Sequence, residues 1–206
     1  MSFATEVTSA AGGIAVYTTA DGATHQTFLQ VDETGHVTGT RPDYTCFFTP
    51  VTNALNLEVA EIFNAHATAI VRVRGIWVMP TNTSITGCQI GYDVNRISAV
   101  GSTGSTTETP RPLDTNAAAV PAGITCRRGS TAGATLTYKY WTQYVWNDEL
   151  SPGTAMIPVM NQLPVLGDRV TEIVLRPSQG VQVKIGQVTG TAAGLTGALI
   201  YFVVDN

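Results

Sequence analysis

"IVRVRGIWVM", residues 70–79, opens with strict alternation: Val71 and Val73 fall on one side of an extended chain, Arg72 and Arg74 on the other. Successive side chains of a strand point to opposite faces, so period two marks a half-buried strand. After Gly75 the run turns apolar on both sides, as a strand does where its far end is covered. The same period recurs in "GVQVKI" (180–185), with Val181, Val183 and Ile185 inward against Gln182 and Lys184. "TEIVLRP" (171–177) and "ALIYFVV" (198–204) are β-branched and aromatic in the manner of strands. "GQVTGTAAGLTG" (186–197) reads as a turn between the last two strands.

"ATLTYKYWTQYVW" (134–146) places Leu136, Tyr138, Tyr140, Tyr144 and Trp146 on one face and Lys139, Trp141 and Gln143 on the other. The aromatic stripe is read as core. Trp141, on the otherwise polar face, is the candidate for an external contact. "NALNLEVAEIFNAHAT" (53–68) fits a helix capped by Asn53, with Leu55, Val59, Ile62 and Phe63 on one stripe; it also fits a strand. The strand is preferred because everything around it is β. Residues 14–37 read as two short strands split by Asp21-Gly22, a pair favoured in tight hairpins.

The pattern predicts an all-β fold: an antiparallel, jelly-roll-like β-sandwich with an extended N-terminal arm or edge hairpin at 1–52 and a body at 53–206. Residues 101–133, rich in Gly, Ser, Thr and Pro, form one long excursion between core strands, pinned by Leu113, Val120 and Ile124. A linker is disfavoured, because the segment after it holds too few strands for its own core. A phosphate cradle is excluded, since "GSTGSTTETP" has no Lys and runs into prolines instead of a helix.

Charged residues make up 13% of the 206, about half the usual ~25%. Lys139 and Lys184 are the only lysines and the net charge is −4, which argues against nucleic-acid binding. Cys46, Cys88 and Cys126 are widely spaced, odd in number and without a metal-binding pattern, so they read as small buried apolar residues in a chain made in a reducing compartment. No apolar run is long enough to cross a bilayer and no secretory signal is visible, so no membrane partner is expected.

No catalytic signature emerges. There is no nucleophile elbow, and His25, His36 and His66 lie in polar turn-like stretches as surface residues. Glu58 with Glu61, or Asp32 with Glu33, offers a carboxylate pair of the kind used in glycoside hydrolysis, but spacing alone does not support it. The expectation is no enzyme, no catalytic residue, no cofactor and no metal.

"AEIFNAHATAIVRVRGIWV", "TETPRPLDTNAAAVPAGIT" and "VLRPSQGVQVKI" closing on "ALIYFVVDN" together resemble β-sandwich accessory proteins of tailed-bacteriophage virions. The resemblance spans roughly 58–206. It implies a capsid decoration or cement protein, made in the host cytoplasm, that binds the major capsid protein on the outer capsid surface as a homotrimer. Arg72, Arg74, Arg127, Arg128 and Trp141 are the candidate interface residues. For the arginines, intrachain pairing with Glu61 or Asp93 is the competing reading. The alternative function is a tail or fibre receptor-binding module, with Trp141 and Tyr138 or Tyr140 stacking on sugar rings.

Overall fold

A computed structural model describes residues 14–18, 24–28, 43–114, 117–147, 159–162, 165–166, 169–170 and 172–205, and among them there is no helix. The chain divides into two units, Met1–Arg41 and Pro42–Asn206. In the first, β1 (Ile14–Thr18) pairs antiparallel with β2 (Thr24–Phe28), Ile14 opposite Phe28 and Thr18 opposite Thr24.

The second unit starts with β3 (Asp43–Thr52), so the boundary of the N-terminal segment falls at residue 41 and not at 52. The cause lies in "YTCFF", whose Tyr44, Cys46 and Phe48 alternate into the core and are fully buried. There follow β4 (Glu58–Asn64), β5 (Ile70–Ala99), β6 (Thr106–Glu108), β7 (Arg111–Pro112), β8 (Ile124–Arg128) and β9 (Thr135–Asn147). The chain continues through the short β10 (Val159–Gln162), β11 (Val165–Leu166), β12 (Arg169–Val170) and β13 (Ile173–Leu175) to β14 (Gln179–Asp205). The strand reading of 53–68 holds for β4.

The architecture rests on β5 and β14, of 30 and 27 residues, which pair antiparallel from Gly180 opposite Ile97 to Asp205 opposite Ile70. Around the start of β14 and the end of β5, a first sheet forms with β9 beside β5 and β4, β8 and β6 beyond β14. Around the other halves, a second sheet forms with β10 and β13 beside β5 and β3 and β7 beyond β14. The two antiparallel sheets pack face to face as a β-sandwich, and one core serves both. Val71, Val73, Ile76 and Val78 of the second sheet cluster with Ile90, Tyr92, Val181, Val183 and Ile185 of the first. Tyr44 stacks on its cross-strand partner Phe202 at 5.6 Å, and the Tyr92 hydroxyl crosses to Thr196 Oγ1 at 2.9 Å.

"GQVTGTAAGLTG" is therefore not a turn but the middle of β14. Register shifts at Ile185/Gln187, Thr189/Thr191 and Ala193/Gly194 bend the strand from one sheet into the other without breaking its pairing with β5. Glycines serve such bends as well as reversals. The 101–133 excursion likewise contains three strands, and β8 takes a full place in the first sheet, with Ile124 and Cys126 pointing into the core. Val120 packs half-buried against that core, whereas Leu113 is exposed, its backbone N–H donating to Asp43 O at 2.8 Å.

The aromatic stripe of β9 meets the expectation at Tyr140, which packs against the core, and departs from it at Leu136, Tyr138 and Tyr144. Register shifts opposite Val94/Asn95 and Arg96/Ile97 change the phase of the strand, leaving Leu136, Tyr138 and Tyr144 exposed while Trp141 packs half-buried against the core beside Tyr140. Cys46 and Cys126 are buried free thiols; the side chain of Cys88 lies outside the described residues.

Candidate functional site

Strand registers lay a polar row across the outer face of the first sheet: Thr107, Arg127, Glu61, Gln182, Asn95 and Lys139, each opposite the next. Glu58 joins this row for a specific reason. Residues three apart in a regular strand face opposite ways, but the register of β4 skips Val59, pairing Ala60 with Val183 and Glu58 with Lys184. That bulge turns Glu58 onto the side of Glu61.

The two ends of the excursion pack over the acids. Glu58 N–H donates to Ser130 O at 3.0 Å and Gly129 N–H donates to Glu58 O at 2.9 Å, while Gly101 N–H donates to Glu61 Oε2 at 2.8 Å. Gln182 Nε2 donates to Glu58 Oε2 at 2.6 Å, and the two carboxyl groups are close enough to raise each other's cost of ionisation. Both glutamates are fully buried. Packing is tight enough that a Cβ on Gly101 would stand 2.7 Å from Ser130 Oγ and 2.8 Å from Glu58 Oε2. Four buried polar atoms converge here without a protein partner: Glu58 Oε1, Glu61 Oε1, Gln182 Oε1 and Arg127 Nε.

Burial, and then the neighbouring Glu61 charge, push the Glu58 carboxyl up to about 9; burial also raises Glu61. Two neighbouring buried carboxylates cannot both ionise cheaply, which favours keeping one proton at the pair. The sign for stability follows. Above the ordinary carboxylate range the folded chain binds more protons at this pair than the unfolded chain, so stability falls as pH rises toward about 9. The slope is bounded at about 1.4 kcal/mol per pH unit for one proton. Thermal melts of wild type and Glu58→Gln between pH 5 and 9 should diverge accordingly, the variant gaining several degrees on wild type at the alkaline end. Parallel curves would mean that the pair titrates normally.

As a glycosidase pair Glu58 and Glu61 are too enclosed, both being fully buried. Hydrolysis needs room for the sugar between the two carboxyls. Asp32 and Glu33 lie outside the described residues, as do His36 and the side chain of His25. His66 is part of a turn, its Nδ1 accepting from Thr68 N–H at 3.2 Å and Ala69 N–H at 3.0 Å.

The four candidate arginines all sit among acids of the same chain. Arg72 Nε pairs with Asp205 at 2.6 Å and its Nη1 with Glu172 at 3.2 Å; Arg74 Nε reaches Glu172 at 2.8 Å. Arg128 pairs with Glu108 at 2.5 Å, and Arg127 stands opposite Glu61. Asp93, the other intrachain partner considered, takes Lys139 at 2.8 Å.

The outer face of the second sheet is of opposite character. Phe47, Leu199 and Trp77 stand opposite one another on β3, β14 and β5, with Leu195 further along the same face of β14. Phe47 is 54% exposed and Leu195 44%. Trp77 lies back over Gly75, where a Cβ would come within 2.5 Å of the indole ring. The sequence signal for this face was the run that turns apolar on both sides after Gly75. That run predicts a covered strand end, but part of the face stays open. Compared with known protein families, curated proteins and solved structures, the chain matches none of them.

Proposed function

We propose that the chain is a virion structural protein without enzymatic activity, a capsid decoration or cement protein that binds the major capsid protein on the outer shell, as a homotrimer. The observation that carries this reading is the apolar outer face of the second sheet, Phe47, Leu195, Leu199 and Trp77, on a protein poor in charge. Exposed apolar patches of this kind mark interaction sites. With Arg72, Arg74 and Arg128 engaged by acids of their own chain, contact with a neighbour rests on buried area and shape. The stretches that resemble phage accessory proteins point the same way.

Burying one Phe side chain contributes roughly 1.5–3 kcal/mol. Phe47→Asp should therefore weaken co-sedimentation with purified phage capsids by about tenfold or more, while the melting temperature stays close to that of wild type. Wild-type protein that stays in the supernatant with every candidate capsid, or a variant that pellets equally well, would overturn the reading. The glycan-binding alternative has one observation in its favour, the exposed rings of Tyr138 and Tyr144, although its proposed anchor Trp141 packs against the core. Glycan-array binding lost on Tyr138→Ala would replace the virion reading with it.

A further inference from the structure

We propose that Glu58 and Glu61 form a proton-operated clasp: a proton shared between their carboxyl groups holds both ends of the 100–134 excursion on β4, and its removal releases them. This stands apart from the capsid-binding reading.

The excursion leaves β5 after Ala99 and returns at Thr135. Its two ends meet at the acid pair. The outgoing end is tied through Gly101 N–H to the Glu61 carboxylate, and the returning end through Gly129 N–H and Ser130 O to the Glu58 backbone. They are also zipped to each other, Thr103 N–H donating to Ala132 O at 3.3 Å and Thr131 N–H to Thr103 O at 3.0 Å. Gly101 and Ser130, which pack against the acid pair, belong to these ends. On the other side lies a continuous ladder of sheet, with β4 paired to β14 and β8.

The surrounding charges decide what happens when the proton leaves. From β8 the pair faces Arg127, whose Nε has no hydrogen-bond partner; the Cys126 thiol of the same strand is kept protonated by burial. From β14 come neutral Gln182 and half-buried Lys184, which lines a cavity of about 70 Å³ together with Ser130 and Gly133. From β5 comes Asn95, opposite Gln182, and from β6 comes Glu108, already taken by Arg128. With one proton the pair carries a single negative charge beside the Arg127 guanidinium. Without it, two neighbouring carboxylates are shut away from water, a state that buried acids avoid by taking up a proton or gaining solvent. Water reaches them at least cost by opening the excursion, which is held here by a handful of hydrogen bonds, and not by breaking the sheet.

Hydrogen exchange followed by mass spectrometry at pH 6 and pH 10, with labelling times scaled for the intrinsic rate, tests the clasp. The amides of Gly101, Thr103, Gly129 and Thr131 should lose at least tenfold in protection at pH 10, while Ile200–Val204 in β14 keep theirs. Glu58→Gln, whose amide can donate to Glu61 as the protonated acid does, should hold all four amides closed at both pH values. Unchanged protection in wild type, equal opening in the variant, or loss spread evenly over the chain would each overturn the proposal. Should Glu58→Gln not fold, Glu61→Gln serves in its place, since its amide oxygen still accepts from Gly101.

Discussion

Replacing Asn64 with leucine should destabilise the body by about 3–5 kcal/mol, the scale of three orphaned buried groups at about 1–3 kcal/mol each, partly relieved by relaxation. Asn64 ends β4 fully buried, opposite Gln179 of β14 on one side and Ile124 of β8 on the other. Its side chain ties down the backbone beyond the strand end. Nδ2 donates to Ala69 O at 2.7 Å and to Leu175 O at 3.0 Å, and Oδ1 accepts from His66 N–H at 3.0 Å. Its own carbonyl accepts from Ser178 N–H at 2.7 Å. One amide thus joins the end of β4, the 65–69 turn and β13. Leucine has a similar volume and supplies no hydrogen bond, so the loss reads out the bonds and not a cavity. Urea denaturation should show a lower midpoint with an unchanged slope. A loss below about 1 kcal/mol would mean that water takes over all three contacts.

Arg72→Ala should cost about 3 kcal/mol or more, because it takes the Arg72 guanidinium away from the Asp205 carboxylate, which is 6% exposed. Arg74→Ala removes a more exposed pair, 29% at the arginine, and should cost less than about 1 kcal/mol. The contrast separates two roles for these residues. An arginine held ready for a neighbouring subunit could be removed with no change in melting temperature. An arginine that neutralises its own sheet could not. Adding Asp205→Asn to Arg72→Ala should recover part of the lost stability, since the charge that needed Arg72 is gone. A double variant no more stable than Arg72→Ala alone would place the cost in lost packing of the arginine stem.

The arginines also show where reading the sequence works and where it stops. Alternation of Val71, Arg72, Val73 and Arg74 was enough to set the inner and outer faces of β5, and Val181, Val183 and Ile185 did the same for β14. Strand type follows from local sterics and period, which a single chain displays openly. What it hides is the bulge. One skipped residue at Val59 brings Glu58 and Glu61 to the same side, and shifts opposite Val94/Asn95 and Arg96/Ile97 turn Tyr138 outward and leave Trp141 against the core. Bulges have no fixed composition, because each arises from the fit between two strands distant in sequence. The acid pair was for that reason visible as two letters and illegible as a site. The continuity of β14 was hidden in the same way, since glycines that bend a paired strand look like glycines that end one.

The pairing of β5 with β14 has a consequence for how the protein is made. β14 lies inside both sheets, yet it leaves the ribosome after every other described strand. Until β14 is synthesised, β3 and β4 lack the central strand that joins them to β5, and β5 exposes one long unpaired edge. Contacts spanning residue 70 to residue 205 are the kind that close slowly. The nascent chain therefore waits as a set of open edges until β14 arrives, its first half completing one sheet and its second half the other.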